Sequence, residues 1–173
     1  MTKLQQLHEH IYSFLMNHPD FVFKPRVNSG EKMNNRLWLN GNDTYISIGV
    51  YNSKGWDRRI NIEISLRDDL PRRTHLVVNF KNEERQNYSS FYKLLVSKLS
   101  NVIKCDSISK EGNLYFILEE YSNWEKGIEC FYNKVRPIIN QLIIDEGLED
   151  IFFISPEDFH KYTAKINTLR NNL

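Results

Sequence analysis

The residues best suited to chemistry in this chain are cations and aromatics on turns between short strands. Lys54, Trp56, Arg58 and Arg59 fall together in NSKGWDRR, and Arg72 and Arg73 in RDDLPRRT. Long cationic side chains on turns and strand ends, Arg67 among them, reach phosphates without disturbing a core. An indole between Gly55 and Asp57 can stack on a base or wedge beside it. Both sites have a plainer alternative, in which Trp56 packs over a sheet edge and the arginines pair with Asp57, Asp68 and Asp69. Trp38, in RLWLN, takes the parity opposite Leu37 and Leu39. With Tyr45 and Tyr51 it forms either a stacking platform or a minor core beneath a helix. Lys54, Arg58, Arg59, Arg72 and Arg73 are therefore the expected phosphate contacts, with Trp56, Trp38 and Tyr45 the expected base contacts.

Catalysis finds less support. The chain has no G-x-S-x-G elbow, no phosphate loop and no H-E-x-x-H, and its histidines, His8, His10, His18, His75 and His160, are scattered singly. The order helix, three strands, helix, strand is shared with metal-dependent nucleases of the PD-(D/E)xK type. There an acid sits two residues before a lysine on a central strand. The nearest counterpart is Glu63-Ile64-Ser65, with Asp43 or Asp57 as partner acid, and serine stands where the lysine would orient water and stabilise developing charge. Cys105 and Cys130 have apolar neighbours and read as free buried thiols, too few for a metal set. The expectation is a binding domain with no catalytic residue, metal or cofactor.

These residues need elements to hold them. In TYISIGVYN, Ile46, Ile48 and Val50 share one parity while Tyr45, Ser47, Gly49 and Tyr51 share the other; in INIEISLR, Ile60, Ile62, Ile64 and Leu66 alternate with Asn61, Glu63, Ser65 and Arg67. HLVVNF completes a three-strand meander. A first helix is predicted over 3–17, stopping before Pro19, followed by an extended arm FVFKPRV. RLWLN is predicted as a strand turned into the next by Asn40 to Asp43. A central helix carries Tyr88, Phe91, Leu95 and Leu99, then strands lie around NVIKC and LYFILEE. A helix from Ser122 to Glu146 should kink at Pro137 and be capped by Gly147. DIFFI reads as one more strand, and SPED opens a last helix with a narrow stripe of Phe159, Tyr162, Ile166 and Leu169. That stripe points equally to a partner helix or to packing on its own domain. The whole is one α+β domain over 1–173: a twisted, mostly antiparallel sheet with an N-terminal helix, a central helix and two C-terminal helices.

The 173 residues are 40% hydrophobic and 26% charged, an ordinary globular balance. The net charge of +1 hides a division: residues 1–110 hold 17 Lys and Arg against 11 Asp and Glu, whereas 111–173 hold 6 against 11. A basic sheet region backed by an acidic body suits a polyanionic partner. With no apolar run long enough to span a bilayer and no signal-peptide pattern at MTKLQQLHEH, the expectation is a soluble cytoplasmic protein with no membrane partner.

From RLWLNGNDTYISIGVYNSKGWDRRINIEIS, and again from the long helix to IINQLIIDEG with its acidic successor, the chain resembles the N-terminal region of McrB-like restriction GTPases. The likeness is one of pattern over roughly two thirds of the chain. It implies a recognition domain at the front of a longer protein, reading DNA of specific sequence or modification for separate motor and nuclease subunits in a restriction or defence system. It does not transfer individual base contacts. The rival expectation is a protein-interaction domain that docks through its acidic C-terminal half and terminal helix.

Overall fold

The first helix is fixed by its opening residues. Thr2 Oγ1 accepts from the Gln5 N–H at 3.2 Å and Gln5 Oε1 accepts from the Thr2 N–H at 2.9 Å, a reciprocal cap that starts α1 (Lys3–Asn17). It ends ahead of Pro19, as predicted. The computed structural model describes residues 2–24, 35–41, 45–52, 60–67, 73–121 and 123–171. The arm after α1 buries Phe21 and Phe23, and its Lys24 N–H donates to Gly49 O at 2.7 Å along a sheet edge.

Six strands are described, β1 (Asn40–Gly41), β2 (Tyr45–Asn52), β3 (Ile60–Arg67), β4 (Thr74–Phe80), β5 (Cys105–Ile108) and β6 (Leu114–Glu119), in the order β1-β2-β3-β4-β6-β5 with every pairing antiparallel. The α+β architecture follows the sequence reading. Two strands differ from it. RLWLN contributes only Asn40 and Gly41, because Arg36 takes a left-handed φ of 63° and the chain before Asn40 is not extended against β2. NVIKC is displaced too: Val102 and Ile103 close a helix end, Lys104 O accepts from the Ile117 N–H at 2.8 Å, and the strand itself starts at Cys105.

Register puts Ile48, Ile64, Leu76 and Phe116 on one face, with Ile62 and Val78 beside them, all buried. Each such side chain stabilises the fold by about 1.5–3 kcal/mol relative to exposure. Helices α2 (Asn82–Asn87) and α3 (Ser89–Ser100) lead from β4 to β5, and α3 lays Phe91 against Phe80. The predicted long helix is α4 (Trp124–Cys130), a π-helical turn (Phe131–Val135) and α5 (Arg136–Asp145). Pro137 has no N–H to give, and the distortion it forces is taken up one turn earlier, where the Arg136 N–H donates to Phe131 O five residues back. Gly147, at φ 66°, ends α5: its N–H donates to Ile144 O and that of Leu148 to Ile143 O.

DIFFI is not a strand. Residues Glu149–Phe152 form a short helix, α6, that drives Phe152 between Phe91, 4.5 Å away by ring centroids, and Phe80. A brief apolar run does not distinguish strand from buried helix; burial within the helical layer decides it. In α7 (Pro156–Asn171) the Ser155 Oγ accepts from the Asp158 N–H at 3.1 Å, the predicted cap. Its stripe packs on its own domain: Ile166 is buried and Phe159 meets Phe23 edge-on. Among the described residues no helix is long and apolar enough to cross a membrane.

Candidate nucleic-acid interface

The face of the sheet away from Ile64 and Leu76 is mixed: Ser47, Ser65, His75 and Val77 are buried on it, and Asn61, Glu63, Arg67 and Asn79 are partly exposed. Asn61, Glu63, Ser65 and Arg67 of β3 point there, in register with Asn79, Val77 and His75 of β4 and with Ser47 and Tyr45 of β2. At one end of this face the Arg67 guanidinium lies 5.9 Å from the centroid of the Tyr45 ring. Tyr45 is half-buried, so the pair combines a cation with an aromatic ring.

Arg73 immediately precedes β4 at the same end. Its Nη1 lies 2.9 Å from Asp106 Oδ2 and its Nε 3.1 Å from Glu120 Oε2, so its charge is offset before any phosphate arrives. Asp106 also meets His75 Nε2 at 3.0 Å and accepts from Ser107 Oγ at 3.2 Å. Burial would raise the Asp106 carboxyl, but the hydrogen bonds from His75 and Arg73 outweigh it and hold the group below the usual carboxylate range. His75 Nδ1 is buried with no partner among the described residues, and its ring stands perpendicular to Tyr115 at 5.8 Å.

Two aromatics leave the expected platform. Trp38 is 1% exposed, in edge contact with His8 and 5.4 Å beneath the Arg170 guanidinium. Its assignment as a base contact is corrected to core: it lies outside the strand, where alternation does not apply, and the terminal helices close over it. Tyr51 is buried because β2 bulges between Gly49 and Tyr51, which moves Tyr51 into register with Ile62 on the helical face. There its hydroxyl bonds Asn140 Oδ1. Lys54, Trp56, Arg58, Arg59 and Arg72 lie outside the described residues, as do Asp43 and Asp57. Glu63 accepts from Asn61 Nδ2 at 2.8 Å, and among the described residues no three of His, Cys, Asp and Glu gather as a metal set.

The structure thus brings Tyr45, Arg67 and Arg73 to one end of the sheet. At the other end of β2 and β3, Asn52 is in register with Asn61. His75 and Asp106 were missed from sequence. The parity of His75 against Leu76 and Val78 signalled its face, but Asp106 reaches it across β6, and no local pattern marks that contact. Set against models of protein families, curated proteins and solved structures, the chain matches none.

Proposed function

We propose that this protein is a non-catalytic DNA-recognition module of a bacterial restriction or defence system, working in the cytoplasm beside motor and nuclease subunits. The observation that carries the reading is the Arg67 guanidinium over the half-buried Tyr45 ring at one end of the sheet. Guanidinium and ring together suit a phosphate beside a base. The basic balance of residues 1–110 supports the same direction. Lys54, Arg58, Arg59 and Arg72 add phosphate contacts from the connections, with Trp56 at a base. Docking of a partner on the α7 stripe is less favoured, since Ile166 and Phe159 are already used within the domain.

Fluorescence anisotropy with a labelled duplex tests this. Binding should weaken steeply with salt, and Arg67→Ala and the double substitution Arg58→Ala/Arg59→Ala should each weaken it and reduce the log–log salt slope by about 0.9 per lost phosphate contact. Binding indifferent to salt and to all three substitutions at micromolar protein would sink the reading.

A further inference from the structure

We infer that His8 is a proton-operated latch between α1 and the segment 35–41, closed while its imidazole is neutral and opened when the ring is protonated. The inference is independent of the nucleic-acid reading and stands whether or not the sheet contacts DNA.

The two ring nitrogens have opposite roles, and their partners fix them. Nδ1 lies 2.6 Å from Leu4 O, one helical turn back. A carbonyl only accepts, so Nδ1 carries the hydrogen. Nε2 accepts from the Leu39 N–H at 3.0 Å, and a backbone amide only donates, so Nε2 is bare. His8 is 2% exposed and Leu39 1%, which keeps water from standing in for either partner. A second proton would go to Nε2 and set an N–H against the Leu39 N–H. Leu39 would lose its acceptor, and two buried donors would face each other.

The segment depends on that bond. Gln5 Nε2 donates to Asn35 O at 3.1 Å, Arg36 takes its left-handed φ of 63°, and Trp38 stands edge-on to the His8 ring at 6.3 Å. The positive φ of a non-glycine residue stores strain that release would relieve. Beyond Leu39, Asn40 and Gly41 pair with Ser47 and Ile46 as β1, so the latch holds the chain that enters the edge of the sheet. The titratable and charged groups placed about the junction are Glu9 and Tyr12 on α1, Arg36 on the segment and Arg170 on α7; Lys3 and His10 of α1 meet Trp124 and Glu125. Glu9 is engaged by Arg170, whose guanidinium stands over Tyr12 and 5.4 Å from the Trp38 ring centroid. Positive charge is already beside the indole, and an imidazolium would add to it.

The direction follows from linkage. The closed form needs neutral His8, so the opened segment, with an imidazole that titrates near its ordinary value of about 6.5, binds more protons and gains about tenfold in population over the pH unit below that value. The latch is strongest above that value and yields as pH falls below it.

Nuclear magnetic resonance of the intact chain tests this. At neutral pH the His8 nitrogen shifts should place the proton on Nδ1. Protection of the Leu39 amide from hydrogen exchange, corrected for the intrinsic rate, should fall about tenfold between about pH 6.5 and about pH 5.5 relative to the Ile64 amide in β3. His8→Gln, whose carboxamide oxygen can accept from the Leu39 N–H but takes up no proton, should keep Leu39 protected throughout. His8→Phe, which removes the acceptor, should leave Leu39 poorly protected at every pH. If neither variant folds, the parent's tautomer and its Leu39 protection still decide. A neutral ring protonated on Nε2, or Leu39 protection that follows that of Ile64 or falls equally in His8→Gln, overturns the latch.

Discussion

Arg170, near the end of the last helix, places Nη1 2.6 Å from both carboxylate oxygens of Glu9 on the first helix. The same guanidinium stacks on Tyr12 at 3.9 Å and covers Trp38, while the Tyr12 hydroxyl donates to Asn167 Oδ1 at 2.6 Å. The first and last helices are therefore joined by one cation over two rings. Both partners of the ion pair are about a quarter exposed, which limits its strength. A double-mutant cycle of Arg170→Ala and Glu9→Ala in urea unfolding should give a coupling near 1 kcal/mol, and Arg170→Ala alone should cost more than Glu9→Ala because it also uncovers Trp38. Equal single effects would refute the second role.

Gly127 in α4 marks a close approach of helix to sheet. A Cβ there would stand 2.6 Å from Thr74 Cγ2 and 2.8 Å from Thr74 Cβ, and Thr74 is fully buried. Alanine is the better helix former, yet Gly127→Ala should destabilise the protein by about 1–3 kcal/mol, because neither the strand nor the helix can give way cheaply. Adding Thr74→Ala should recover part of the loss. Chemical denaturation of the three variants checks both statements.

Acid should loosen the Arg73–Asp106–His75 cluster. The folded Asp106 carboxyl binds its proton less readily than the unfolded one, so its contribution is present above the ordinary carboxylate value of about 3.9 and is lost as pH falls through its lower folded value. Asp20, held down by hydrogen bonds from Arg136 and Tyr132, acts in the same direction. Urea midpoints measured from about pH 6 to pH 2.5 should fall less steeply for Asp106→Asn than for the parent. Parallel curves would show that Asp106 contributes nothing to the acid response.

The two aromatics once paired as base contacts should now part company. Trp38→Phe should lower stability by about 2 kcal/mol and leave duplex affinity unchanged, since the ring is sealed inside. Tyr45→Ala should do the opposite, weakening DNA binding with a small effect on melting. Anisotropy and thermal unfolding on the same samples separate them.

Strand alternation made most of the sheet legible. Ile60, Ile62, Ile64 and Leu66 point inward as their parity required, and the Ser155 and Gly147 caps mark two helix ends where the residue types place them. What misled was chemistry that parity does not carry. A single bulge after Gly49 turned Tyr51 over, and a left-handed Arg36 took Trp38 out of the strand. In the candidate site, Arg73 was placed on a turn by its neighbours, but its partners Asp106 and Glu120 are far along the chain, and an ion pair across strands leaves no local trace.

The antiparallel run of β3 also acts as a ruler. Its eight residues, at about 3.3 Å each, separate its two ends by roughly 26 Å. Along B-DNA, with an axial rise of about 3.4 Å per phosphate of a strand, that is close to eight base pairs. A duplex lying along this strand would meet its Arg67 end and its Ile60 end less than one helical turn apart. Its protected phosphates would then fall in two clusters with an open stretch between them, a footprint set by strand length.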